Sequence, residues 1–314
     1  MRFGIVILPQ HDWPDAARFW RGAEELGFDH AWTYDHLAWR GLAGERWHAT
    51  VPTLTAAAMV TRRLGLGTFV ASPNYRHPVP FAKDIATVDQ IAGGRVILGV
   101  GSGGTGFDAS VLGQAPLTPR QRHERFAEFV QSLDTLLRFE PASGRGAGQG
   151  ADAGGADASR PGISFDGEWY TADGARMVGE PARHPRMPLH LAANGPRSIA
   201  LTVRLADGWI TTGRDHDDAA AWWRHIGDLA RRVDDACAAA GRAPGTLART
   251  LSLDTDGRYS LASVGAFEDA VGRAAELGFT DVVSHWPRRA GVYAGDEGVL
   301  EEAATRFAAY RGAA

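Results

Sequence analysis

Residues 66–104 read LGTFVASPNYRHPVPFAKDIATVDQIAGGRVILGVGSGG. The order is strand, polar loop, helix, strand, glycine loop. Leu66–Ala71 is a mostly apolar run too short for a helix, and Ser72-Pro73-Asn74 turns the chain after it. Pro80 suits a first helical turn, where a missing N–H costs nothing. Phe81, Ile85, Val88 and Ile91 recur near helical spacing, and Gly93-Gly94 stops the run. Val96–Val100 is a second buried strand that opens into Gly101–Gly104. A parallel sheet needs cover on both faces, so one β–α–β unit predicts more of the same.

The flanking chain supplies them. Further short apolar runs lie at Phe3–Leu8, His30–Thr33, Leu189–Ala193, Gly208–Thr211, Thr250–Asp254 and Thr280–Ser284. Helical patterns separate them: one opened by Pro14, then Val51–Arg62, Arg120–Phe139, one opened by Pro196, Asp217–Ala240, Val264–Leu277 and Glu297–Tyr310. The stretch AEELGFD at 23–29 is echoed by AAELGFT at 274–280, in both cases a helix end, a glycine cap and a strand entry. Eight such units in order predict an α/β (β/α)8 TIM barrel, a single domain over residues 1–314. One stretch breaks the pattern. Residues 141–162 are glycine, alanine, aspartate and serine with no apolar period, which predicts a low-complexity flexible insertion between strands four and five. Ile163–Tyr170 follows as a small hairpin turning at Asp166-Gly167, too short for a core of its own.

Composition narrows the function. The chain has 314 residues, 44% of them hydrophobic, and a formal net charge of −4 with no basic block. That argues against nucleic acid or an anionic membrane as a partner. Cys237 is the only cysteine, so neither an intrachain disulfide nor a multi-cysteine metal site is available, and its neighbours predict a buried helical position. There is no run of about 18 apolar residues and no signal-like leader, so a soluble, cytoplasmic protein is expected. Lys83, on the helix of the opening stretch, is the only lysine, which leaves Schiff-base chemistry at a strand end without its nucleophile. No HExxH and no His-x-His at strand one appear, so no metal is expected.

In this architecture the chemistry lies at the C-terminal ends of the strands. Reading the early ends gives His11, Asp35, His36, Asn74, Arg76 and Ser102; the later ones add Asn194, Arg214, His216, His285 and Trp286. A loop histidine is commonly plain solvated polarity. Asp35-His36 is sharper, because an adjacent acid and imidazole can share proton work. Gly99–Gly104 matches G-x-G-x-x-G, but no helix opens on its third glycine. Thr105–Asp108 continue the loop, and Pro116 and Pro119 delay the helix, so this is not the dinucleotide fingerprint. Two uses remain for it: bare backbone approaching a flat or phosphorylated ligand, or a tight turn alone. Asn194-Gly195-Pro196-Arg197-Ser198 likewise reads as an anion site at a helix start or as an ordinary cap.

Six stretches together carry a resemblance: ELGFDHAWTYDH (25–36), LGTFVASPNYRHPVPFAK (66–83), DQIAGGRVILGVGSG (89–103), PLHLAANGPRS (188–198), ADGWITTG (206–213) and AGRAP (240–244). In order and spacing the chain resembles the luciferase-like oxidoreductases that use flavin or coenzyme F420. The resemblance implies a barrel with an insertion between strands four and five, and a ring system lying over its mouth. The cofactor would be FMN or F420, acting on a small organic substrate by monooxygenation or hydride transfer. A cis peptide at Phe69–Val70 would form a bulge behind the ring. By matching position, the resemblance implies that His36 is the proton-handling histidine and Asp35 a cofactor-contacting acid beside it. Phe69, Val70, Ser72, Ser102, Gly103, Ala193, Asn194, Gly195 and Arg197 are cofactor contacts. A homodimer and a flavin or F420 reductase that supplies the cofactor are further implications. Gly104 departs from the pattern, because some F420 sugar-phosphate dehydrogenases carry a catalytic glutamate there. A non-catalytic flavin-binding protein of the same fold is the alternative, and it would not depend on Asp35 or His36.

Overall fold

The computed structural model describes residues 1–139, 162–214, 218–254 and 258–312. Its strands are β1 (Arg2–Val6), β2 (His30–Thr33), β3 (Gly65–Thr68), β4 (Val96–Val100), β5 (Ile163–Asp166), β6 (Thr171–Ala175), β7 (Leu189–Ala192), β8 (Gly208–Thr211), β9 (Ala248–Ser252) and β10 (Asp281–His285). Eight of them close into a parallel barrel in the order β1-β10-β9-β8-β7-β4-β3-β2, and β5 and β6 form a separate antiparallel pair. The chain is a (β/α)8 TIM barrel.

Helices α1 (Trp13–Glu25), α2 (Thr50–Val60), α3 (Pro78–Ala92), α4 (Pro119–Leu137), α5 (Pro196–Leu205), α6 (Ala219–Ala239), α7 (Val264–Glu276), α8 (Glu297–Ala304) and α9 (Phe307–Arg311) lie outside it. Local chemistry sets their ends. Thr118 and Gln121 form a reciprocal capping box on α4, and the Ser263 hydroxyl caps α7. Gly93 ends α3 in the left-handed conformation at φ 64°. The two echoed glycines, Gly27 and Gly278, share that role at φ 85° and 78°.

The core has two layers. Between barrel and helices, Phe81, Ile85, Phe126, Phe129 and Leu133 are fully buried. Inside the barrel, large rings fill the bore because neighbouring strands present glycine opposite them. A Cβ on Gly67 would come within 2.3 Å of the Trp32 ring, and one on Gly4 within 2.3 Å of His30.

Several boundaries differ from the sequence-based expectation. β3 stops at Thr68, the Phe69–Val70 peptide is cis, and Ala71 rejoins the sheet through a single bridge to Val100. The hairpin runs on to Ala175 rather than ending at Tyr170, and its turn is longer than Asp166-Gly167. The reason is α4: the Glu128 carboxylate accepts the N–H groups of Trp169 and Tyr170, at 3.1 and 2.7 Å, and so satisfies a wider loop. The expected last helix breaks in two before Phe307. Cys237 is fully buried on α6, as expected. The 141–162 insertion, apart from Gly162, lies outside the described residues, as do His216 and Asp217. No described helix is long and apolar enough to cross a membrane.

Candidate active site

The C-terminal strand ends surround a cleft of about 430 Å³, within the range of small-molecule sites. Its apolar wall includes Tyr34 and Trp39 after β2, Phe69 and Val70 after β3, Ala192 of β7 and Ile210 of β8. Gly101, Ser102 and Gly103 form a bare edge after β4. A Cβ on Gly101 would stand 2.8 Å from Val70, and Gly103 has φ 74°, so this loop brings backbone where a side chain would not fit.

His36 lines the cleft with its ring partly exposed. Its Nδ1 lies 2.5 Å from Asp108 Oδ2, and Asp108 Oδ1 accepts the Leu37 N–H at 2.9 Å. A carboxylate only accepts, so this contact puts a proton on Nδ1 and, in the neutral ring, leaves Nε2 as a lone pair. His36 therefore has a carboxylate partner, but it is not Asp35. Asp35 is 1% exposed, and both its oxygens are taken by Arg76, Nε at 2.7 Å and Nη2 at 2.6 Å. The expected Asp35–His36 sharing is corrected: neighbours in sequence point to opposite sides of the strand end, and the bidentate guanidinium claims the acid. Asp108 carries no motif. It sits in the loop before α4, 72 residues from His36, and only the fold brings it in.

The other expected contacts divide into two sets. Phe69, Val70, Ser72, Ser102 and Gly103 line the cleft with His36. Ala193, Asn194, Gly195 and Arg197 do not. The Asn194 side chain is tied to Thr211 Oγ1 at 2.7 Å and to the Gly213 carbonyl at 3.0 Å. Gly195 is exposed at the N-cap of α5, and Arg197 lines a surface groove with His123 and Arg242 instead. Trp286 packs under α1, its ring 5.1 Å from Phe19, rather than facing the cleft.

Sequence reasoning singled out Asn74 at a strand end but not its partner Arg125. Asn74, on the cleft, accepts from Arg125 Nη2 of α4 at 2.5 Å. Arg125 is 7% exposed, its Nε has no hydrogen-bond partner, and it has no acidic partner among the described residues. Burial lowers its pKa from the ordinary value. A buried guanidinium held only by a neutral amide is a charge waiting for an anion. A flat ring between the Phe69–Val70 bulge and the glycine edge, with an anionic arm toward Asn74 and Arg125, is a group these residues fit.

A third set begins beside His36, at Tyr34, whose ring lies 6.0 Å from the His36 ring. His285 Nε2 lies 2.7 Å from the Tyr34 hydroxyl, and its Nδ1 lies 2.9 Å from Asp254 Oδ2. The Tyr34 hydroxyl is 3.1 Å from that of Tyr293.

Known proteins resemble this chain in sequence and in fold. A model of the luciferase-like monooxygenase family matches residues 1–255. An F420-dependent hydroxymycolic acid dehydrogenase of Mycobacterium tuberculosis is 31% identical, over 82% of this chain and 61% of its own. An F420-dependent glucose-6-phosphate dehydrogenase of Nakamurella multipartita is 35% identical, over 68% of this chain and 56% of its own. This chain thus spans little more than half the length of these curated relatives. Among solved structures, an F420-dependent secondary alcohol dehydrogenase superposes with a TM-score of 0.76 at 16% identity, covering 96% of this chain and 97% of its own. A monooxygenase of Streptomyces bottropensis gives 0.75 at 18% identity, with 98% of each chain covered. At that identity the likeness is one of fold.

Proposed function

Since this chain belongs to the luciferase-like monooxygenase family, we propose that it is an oxidoreductase that transfers hydride between coenzyme F420 and the alcohol or carbonyl carbon of a small organic substrate. The observation that carries the proposal is the His36–Asp108 pair, 2.5 Å apart, opening onto the glycine-edged cleft. The F420 names of the sequence relatives support F420 over FMN. Monooxygenation with reduced FMN is the second reading, favoured by the family's own description.

Phe69, Val70, Ser72, Ser102 and Gly103 would hold the ring system, with Asn74 and Arg125 toward its anionic arm. Bound there, F420 supplies a two-electron hydride donor or acceptor. His36 Nε2 accepts the proton of a substrate hydroxyl, or returns it to a carbonyl oxygen, while Asp108 fixes the tautomer and stabilises the imidazolium. Trp39, Tyr34 and Ile210 exclude water from the carbon that reacts. Asp35 acts at one remove: its ion pair with Arg76 braces the turn that carries Ser72 and Asn74. The proposal extends to a homodimer in the cytoplasm with a separate reductase that supplies reduced cofactor.

Titration of the purified protein with F420 and with FMN, followed by absorbance, tests the cofactor. Saturable F420 binding is expected, and binding of neither overturns the enzyme assignment. The His36→Ala variant should keep F420 binding and lose about 10²–10⁴-fold in turnover. Full turnover in that variant would overturn the assignment of His36 as the proton-handling residue.

A further inference from the structure

Beside His36, whose ring lies 6.0 Å from that of Tyr34, four side chains form a continuous hydrogen-bonded chain from the cleft into the barrel: Tyr293, Tyr34, His285 and Asp254. The members come from three separate strand ends, those of β2, β9 and β10, and from the loop after β10. Asp254 and His285 are buried, with 0% and 1% side-chain exposure, while Tyr34, Tyr293 and Asp254 all reach the cleft lining. The Asp254 carboxylate also receives the His285 and Ser260 backbone N–H groups, each at 2.6 Å.

The donor pattern gives this chain a direction. Asp254 accepts, so His285 presents Nδ1–H to it. His285 Nε2 is then a lone pair and takes the Tyr34 O–H, and the Tyr34 oxygen is left to accept, from Tyr293 or from a ligand hydroxyl. Tyr34 holds its own proton firmly: burial raises its pKa well above the ordinary value, and Tyr293 adds to that. The backbone supports the arrangement at some cost. Tyr293 sits in the left-handed region at φ 62°, uncommon for a bulky residue, and its ring stacks on His285 at 3.8 Å and 12°.

We propose that Tyr34, His285 and Asp254 are a second proton relay of this site, wired to take a proton from a ligand hydroxyl. The step is one of protons only. The ligand O–H breaks as its proton passes to the Tyr34 oxygen. The Tyr34 O–H breaks as its own proton passes to His285 Nε2, leaving an imidazolium against Asp254 and an oxyanion on the ligand. The relay thus serves the same hydroxyl as the neighbouring His36, or a second hydroxyl of a diol or sugar-like substrate. Tyr34 is the catalytic residue of the set, and His285 and Asp254 position and charge it. The role of the relay in turnover rests on the oxidoreductase reading; its direction does not.

The test starts on the cofactor-free protein labelled with 15N-histidine. Long-range 15N–1H spectra report the tautomer of each imidazole, and the His285→Gln variant identifies the His285 signals. The relay requires neutral His285 protonated at Nδ1, with an Nε2 resonance that shifts in Tyr34→Phe. A ring protonated at Nε2 would donate to Tyr34 and have nowhere to put a proton, and that result overturns the proposal. With F420 and a turned-over alcohol, Tyr34→Phe should lower kcat about 10²-fold with KM within a few-fold of wild type. An unchanged kcat in Tyr34→Phe also overturns the catalytic role. If no cofactor binds, the oxidoreductase reading fails while the tautomer measurement still decides the direction of the chain.

Discussion

Strands β2 and β10 flank β1, and side chains bridge them twice across it. At the base of the barrel His30 Nε2 meets Asp281 Oδ1 at 2.9 Å, and at the mouth Tyr34 meets His285 Nε2 at 2.7 Å. Both bridges contain a buried histidine backed by an aspartate, yet their donor patterns differ. At the base, the Trp32 indole donates to His30 Nδ1 at 2.7 Å, so His30 must donate from Nε2 to Asp281. Arg2 and the Thr280 hydroxyl take up the rest of that carboxylate, at 2.8 and 2.6 Å. Both ring nitrogens of His30 are spent on fixed partners. At the mouth the chain runs through Tyr34 to Tyr293, and both residues line the cleft. A histidine–aspartate pair closed at both ends holds a fold together, whereas one with an open end can move a proton.

The comparison breaks if the base turns out to carry activity. Asp281→Ala leaves the buried His30 N–H without an acceptor and Arg2 without its anion. A loss of about 3–5 kcal/mol is expected in urea unfolding, with turnover per folded molecule unchanged. A large fall in turnover with stability intact would erase the distinction between the two ends.

His190 sharpens it. This base histidine is buried, its Nδ1 has no partner, and burial pushes its pKa down from 6.5 to about 4. Below pH 6.5 the unfolded chain takes up a proton that the folded chain refuses, so folding stability falls as pH drops toward 4. The full fall is about 3 kcal/mol. Asp281 acts in another window. Burial alone would raise its pKa, but His30, Arg2 and Thr280 hold it well below 3.8. Its contribution is therefore complete above that pH and is lost only in stronger acid. Urea midpoints from pH 7 to 4.5 should drop for wild type and flatten for His190→Leu; parallel curves would mean that His190 titrates normally.

The smallest effect expected is at the mouth and appears in rate. Asp108→Asn offers His36 Nδ1 an amide N–H and so favours the tautomer with Nε2 protonated. Turnover should fall about 10²-fold, equivalent to about 2.7 kcal/mol, with the urea midpoint nearly unchanged. Equal turnover would show that Asp108 does not set the tautomer of His36.

Much of the fold was legible locally. The strand at His30–Thr33, the one at Val96–Val100 and the stop at Gly93 follow from residues within a few positions of each other, because apolar period, prolines and left-handed glycines act at short range. Five of the expected cofactor contacts, and His36, gather at one cleft because the barrel puts every strand end on the same face. Asp35 and Asn194 have partners outside the cleft, for a physical reason. Asp35 lies beside His36 in the chain, but side chains alternate along an extended segment, and Arg76 competes for the acid. Asn194 is consumed by hydrogen bonds to its own neighbours.

That this chain is a barrel, where its mouth lies and which backbone edges are bare could be read residue by residue. The partners emerge from the closed fold: Asp108 for His36, Asp254 for His285, Arg76 for Asp35, Arg125 for Asn74. Secondary structure is a matter of neighbours in sequence. A hydrogen-bond direction depends on which donor the closed barrel brings to the other side of a ring.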